Sequence, residues 1–224
     1  MKKLSELKNI HLNKDIWCVA AGSSMDYVDP SFFENKIVIG QNQVYKKYKC
    51  DYVVMKDLME TPRFPRSIEE VKQLDIPLIY PKHHMGHYAY QLNQVNYENS
   101  YIFEHNDNRL GIESALSVIG TEFMTVIRST MTTIMNIAAY MGAKNIIICG
   151  VDCGRINNNL YYENYVEPDW TSSGNWNQVE GWLQVTQKHN LSIRDKIKEV
   201  YKCNIYSLNP FMNFKLDRNE YKAC

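Results

Sequence analysis

The residues of this sequence best placed to do chemistry stand where apolar runs end. The run Asp15-Ile16-Trp17-Cys18-Val19-Ala20-Ala21 gives way to Gly22-Ser23-Ser24. A residue without a side chain, followed by two hydroxyls, lets backbone N–H groups and side-chain donors converge on an anion. The same residues also suit a tight strand-to-helix turn with no ligand. A second run, Lys36-Ile37-Val38-Ile39-Gly40, is followed by Gln41-Asn42-Gln43. Amides at a strand end hydrogen-bond a base, ribose or sugar without adding charge; alternatively Asn42 caps the following helix. A third run, Asp51-Tyr52-Val53-Val54-Met55, ends at Lys56-Asp57. Asp57 there can orient hydroxyls, bind magnesium or cap a turn. The strongest run, Ile146-Ile147-Ile148-Cys149-Gly150, delivers Asp152. Its carboxylate either faces a ligand crevice or closes a turn by accepting N–H bonds.

Arg128 precedes a helix that Ser129 or Thr130 can cap, and its guanidinium can fork to a carboxylate or phosphate or lie on the surface. His189 is the only histidine after Asp152 and is a candidate general base. Tyr161, Tyr162 and Tyr165 can donate phenolic hydrogen bonds to a phosphate, or simply pack. His83, His84 and His87 are interrupted by Pro and Gly punctuation that works against a helical metal site. The six cysteines are scattered, with no second pair to complete a zinc set around Cys149 and Cys153, so neither a disulfide framework nor a metal centre is expected. Neither a G-x-G-x-x-G nor a P-loop spacing occurs, which leaves dinucleotide dehydrogenase and Walker-type ATPase chemistry unsupported.

These residues need a scaffold, and the runs themselves supply it. Short apolar segments alternate with segments of helical period, as a parallel sheet requires. Strands are expected at 15–21, 36–40, 51–55, 76–80, 146–150 and 204–208, with a weaker one at 101–103. Helices are expected at 43–48, 67–74, from Ser129 to Met141, and from about Leu191 to Tyr201. Residues 82–126 carry no clear period. The stretch from about 155 to 182 is rich in Asn, Tyr, Ser and Trp and is read as a lid. The expectation is one α/β domain over residues 1–224, Rossmann-like, with a central, mostly parallel sheet and helices on both faces. Apolar residues at 45% and charged residues at 22% are ordinary for a globular chain. The 25 basic and 25 acidic side chains cancel, so no long-range field gathers nucleic acid or anionic lipid. No segment has the roughly 18 apolar residues of a membrane span, and the expected location is cytoplasmic, at most peripheral to the inner membrane face. An exposed aromatic lid and neighbouring helices make a homo-oligomer plausible.

Cys18-Val19-Ala20-Ala21-Gly22-Ser23-Ser24-Met25 resembles the Gly-x-Gly-Pro-Ser-Leu strand and turn of the bacterial sialyltransferases of glycosyltransferase family 42. Their relatives, the motility-associated factor and hydroxymethylpterin diphosphokinase-like proteins, share that motif. Gln41-Asn42-Gln43-Val44-Tyr45 is similar to the superfamily's Cys-Asn-Gln-Phe-Tyr. The stretch from Arg128 through Gly142-Ala143-Lys144-Asn145 to Gly150-Val151-Asp152 resembles its helix and Gly-x-x-x-Ile-x-Leu-x-Gly-x-Asp run, and Val200 to Pro210 its C-terminal strand. The resemblance implies a metal-independent glycosyltransferase that passes an acidic sugar from a CMP-activated donor to a glycan hydroxyl. It implies that Gly22, Ser23, Ser24, Asn42, Arg128, Ser129, Thr130 and Asp152 hold the nucleotide and donor. Tyr161 or Tyr162 would meet the phosphate, and His189 would be the base. The alternatives are an ATP- and magnesium-dependent pterin diphosphokinase, with Asp57 and Asp152 on the metal, and a non-catalytic nucleotide-binding module.

Overall fold

Successive residues of the first apolar run point to opposite faces of a sheet, and both faces are covered. Ile16, Cys18 and Ala20 enter one buried cluster, while Trp17, Val19 and Ala21 enter another. A strand buried on both sides has no polar face to display, which is why the run reads as continuously apolar. The computed structural model describes residues 2–56, 67–83, 95–165 and 176–208. Over these the chain forms β1 (Lys2–Lys3), β2 (Asp15–Val19), β3 (Ile37–Gln41), β4 (Tyr52–Val54), β5 (Leu78–Pro81), β6 (Ser100–Phe103), β7 (Asn145–Cys149) and β8 (Asn204–Ser207). These make one eight-stranded sheet in the order β1-β6-β5-β4-β3-β2-β7-β8. Every pairing is parallel.

Strand β2 is interior, as its composition requires. It pairs with β3 from Ile16↔Ile37 to Val19↔Gly40 and with β7 from Asp15↔Asn145 to Val19↔Cys149. The chain winds outward from β2 through β3 to β6, then returns to the other side of β2 with β7 and β8. Strand order therefore reverses between β2 and β7, the position at which an open α/β sheet leaves a crevice beyond its carboxyl ends.

The helices are α1 (Ser67–Gln73), α2 (Gly111–Ser117), α3 (Thr130–Tyr140) and α4 (Trp176–Tyr201). Residues of α2, α3 and α4 cover the face that carries Ile16 and Cys18. Helix α1 and short 3-10 turns at Ser23–Tyr27, Pro30–Phe33 and Asn42–Lys46 cover the other face. All eleven residues of α3 are buried. Each of its Met and Ile side chains contributes about 1.5–3 kcal/mol by leaving water. Gly142, with φ 89°, ends that segment; a Cβ there would meet Leu12 Cα at 3.0 Å.

Three expectations are corrected. The closing helix starts at Trp176 rather than near Leu191, so His189 lies within it and residues 176–182 of the stretch read as a lid are helical. Its core stripe runs Val179, Thr186, Asn190, Ile193 and Ile197, and two polar members conceal the helical period. The helix expected at 43–48 is a 3-10 turn, entered with Asn42 at φ 52°. Strand β1 and helix α2, the latter inside the unread stretch 82–126, carried no signal because both are short. No helix among the described residues is long and apolar enough to cross a membrane. Asp57, His84, His87 and Cys224 lie outside the described residues; the other five cysteines are free thiols.

Candidate functional site

The β2 and β7 chains cross closely where they leave the sheet. Ala20 N–H donates to Cys149 C=O at 2.8 Å and Gly22 N–H to Gly150 C=O at 2.8 Å. A Cβ on Gly22 would stand 2.4 Å from Gly150 O, 2.5 Å from Asp152 Oδ2 and 2.7 Å from its Cγ. Gly150, at φ 71°, would place one 2.4 Å from Ala20 O. Both glycines serve a backbone crossing, and the close approach that Gly22 permits is to the chain's own atoms.

The turn does hold an anion, and that anion is Asp152. Ser24 N–H donates to Asp152 Oδ2 at 2.7 Å, Ser24 Oγ–H to Oδ1 at 2.5 Å, and Ser23 Oγ–H to Oδ2 at 3.5 Å. The carboxylate is 3% exposed, and both serines are buried with it. In place of the open cradle expected over Gly22, Ser23 and Ser24, the two serine hydroxyls and the Ser24 N–H fix Asp152, which accepts a backbone N–H as its turn-closing reading requires, while the Gly22 N–H goes to Gly150 C=O. Charge-assisted bonds of this kind are stronger than neutral ones, so the β2 turn and the β7 turn behave as one unit. A magnesium role for Asp152 would have to compete with these three donors.

The first part of the expected lid is docked onto this unit. Ser23 N–H donates to Leu160 C=O at 3.3 Å and Tyr162 N–H to Ala21 C=O at 3.0 Å, so Tyr161 pairs with Gly22. The tyrosines then divide their roles. Tyr162 is buried in the core, edge-on to Tyr48 and Tyr165, the packing arrangement that was the alternative to its reading as a phosphate donor. Tyr161 is half-buried and stacks on Tyr165 with ring centroids 5.0 Å apart. Burial, reinforced by Tyr161 and Tyr162, pushes the Tyr165 phenol up, and the Asn42 side chain lies against that phenol. Asn42 therefore meets Tyr165, a residue that strand-end reasoning alone did not connect to it. Gln43, Lys46, Lys47 and residues 162–165 line a cleft of about 390 Å³ beside this contact. Its two lysines are paired with Glu70 and Asp26, at 3.0 and 2.9 Å.

On the other side of the crossing, Arg128 is exposed and takes φ 39°, a conformation rare for a long side chain. Its carbonyl accepts a hydrogen bond from the buried Lys56 ammonium at the end of β4. Lys56 was passed over for its neighbour Asp57, although both follow the strand directly. Ser129 Oγ accepts from Met131 N–H at 3.1 Å, so it is the cap of α3, and Thr130 is buried in the first turn. His189, half-buried on α4, is held below its ordinary pKa by burial first, then by the positive charges of Arg128 and Lys188. Its neighbour Asn190 lies against the Cys153 thiol, one residue beyond Asp152. The structure thus brings Gly22, Ser23, Ser24 and Asp152 into one bonded unit, with Tyr161, Tyr165 and Asn42 on one flank. Arg128 and His189 lie on the other.

No protein-family model matches the chain, and no curated protein sequence is significantly similar to it. Solved structures do share its fold. A single-site variant of the sialyltransferase CST-II, solved with CMP, is 13% identical over 89% of this chain and 83% of its own, with a TM-score of 0.56. The sialyltransferase CstII from Campylobacter jejuni, in complex with cytidine-5'-monophosphate, is 13% identical over 90% of this chain and 82% of its own, with a TM-score of 0.53. The α/β fold of this chain is therefore similar to that of CMP-bound sialyltransferases.

Proposed function

We propose that this chain is a CMP-sugar-dependent glycosyltransferase that moves an acidic sugar to a glycan hydroxyl, with His189 as general base. The observation that carries the reading is a half-buried histidine within the field of Arg128, in a fold shared with CMP-bound sialyltransferases. An imidazole whose pKa is lowered is present as the free base near neutral pH, the form a general base requires.

In this reading the acceptor hydroxyl attacks the anomeric carbon of the donor while His189 takes its proton. The bond from that carbon to the phosphate oxygen breaks, and CMP leaves. Tyr161 and Tyr165 stand on the Asn42 flank as phenolic donors to the phosphate as its charge grows. Arg128 supplies a fixed cation for an acidic group on the donor. Asp152 acts through position: it locks the two turns that define the crevice floor. General-base help of this type contributes about 10²–10⁴-fold.

The reading gives no metal a role, and the test uses that. CMP, CTP and ATP are compared for thermal stabilisation, each with and without magnesium. Metal-independent stabilisation by CMP supports transfer. Magnesium-dependent stabilisation by ATP alone would replace it with a diphosphokinase. With CMP-N-acetylneuraminate as donor, His189→Ala should abolish turnover and keep CMP binding; a variant that turns over normally removes His189 from the chemistry.

A further inference from the structure

A lysine is almost never fully buried unless its charged end is held. Lys56 is 2% exposed just beyond β4, and its Nζ donates to the Arg128 carbonyl oxygen. The backbone sets that carbonyl apart from its neighbours. Ile127 C=O and Ser129 C=O both accept from Thr132 Oγ1 of α3, at 3.1 and 2.7 Å. Ser129 Oγ accepts from Met131 N–H, and Ile127 pairs with Ser129 across the turn. The residues flanking Arg128 are thus bound to α3, whereas the Arg128 carbonyl is held from the end of β4.

Arg128 takes φ 39° in this turn. For a long side chain that conformation is unfavourable and persists only where the surroundings impose it. The Lys56 bond is one such imposition. With the carbonyl released, φ relaxes towards the negative values an arginine ordinarily takes, and the root of the exposed side chain turns with it. Position matters because the guanidinium has a target. The His189 pKa is lowered first by burial, then by Arg128 and Lys188. Lys188 precedes His189 on α4 and stays with it; Arg128 comes from the turn before α3 and keeps its place only while that turn keeps its shape.

We propose that Lys56 is a positioning residue, which locks the turn before α3 through the Arg128 carbonyl and so fixes the guanidinium relative to His189. Its bearing on turnover rests on the transferase reading; the coupling of the three residues does not.

The test follows the His189 imidazole by proton–carbon NMR through a pH titration of the full chain, with His189→Gln identifying its signal among the six histidines. Arg128→Ala should raise the His189 pKa by about 0.5, roughly a threefold change in the ratio of its two protonation states. Lys56→Met, which keeps the length and removes the donor, should raise it by at least about half as much. In the Arg128→Ala background, Lys56→Met should add nothing. Lys56→Gln, uncharged and one bond shorter, gives the same comparison if Lys56→Met fails to fold. Three results overturn the proposal: Arg128→Ala leaves the His189 titration where it was; the Lys56 variant leaves it there while Arg128→Ala moves it; or the Lys56 variant shifts it equally in both backgrounds, the sign of a direct field from Lys56. With turnover, the acid limb of the Lys56→Met pH–rate profile should move up with the His189 pKa. The expected titrations in a protein that transfers no sugar end the transferase reading and leave the positioning standing.

Discussion

Gly22→Ala tests most directly what the β2 turn is built for. The added Cβ would meet Gly150 O at 2.4 Å, Asp152 Oδ2 at 2.5 Å and Asp152 Cγ at 2.7 Å. All three distances are shorter than real Cβ contacts allow, and the closest atom is backbone, fixed by the Gly22 N–H···O=C Gly150 bond. Relief requires opening the β2–β7 crossing or displacing Asp152 from Ser24. Overpacking of this kind costs about 1–3 kcal/mol, and the backbone contact puts this site near 2–3. For a chain of 224 residues that lowers Tm by roughly 4–12 °C. Differential scanning calorimetry, with and without CMP, measures it. On an Asp152→Ala background the contact with Gly150 O remains, so alanine at position 22 should still remove at least about half of that stability. A Gly22→Ala protein that melts within about 1 °C of the parent but no longer responds to CMP would refute the reasoning, because the glycine would then be making room for a ligand.

Asp152→Ala strands the buried Ser24 N–H and hydroxyl and should cost about 1–3 kcal/mol by urea denaturation; an unchanged midpoint would mean water replaces the carboxylate without loss. Because the base must be unprotonated, turnover should fall as pH drops through the His189 pKa, which lies below 6.5. Arg128→Ala, by removing a cation, should move that acid limb upward, whatever it does to kcat, and a downward or absent shift contradicts the pairing. Burial pushes the Cys153 thiol up to about 12, so at pH 8 iodoacetamide should label it far more slowly than in the denatured chain. Equal rates, read by peptide mass spectrometry, would place that thiol in solvent.

The sheet was legible because strands buried on both faces leave an unbroken apolar record: β2, β3, β4 and β7 were read within one or two residues. Helix α3 was legible for a related reason, since a Ser cap, a three-four period and Gly142 all agree. Helix α4 was half missed because Thr186 and Asn190 occupy its core stripe, where a polar residue erases the period that the helix otherwise shows.

Local chemistry along the chain was enough to determine the α/β class and the ring of candidates at strand ends, because period and punctuation are properties of neighbouring residues. Partnership was decided only by the tertiary structure. Ser23 and Ser24 read as open donors until Asp152, more than a hundred residues away, arrives with a carboxylate that takes them, and Tyr161 and Tyr162 read alike until one faces the core. Hydrogen bonds and burial depend on which distant segment crosses overhead, and that crossing is set by the parallel order of the sheet.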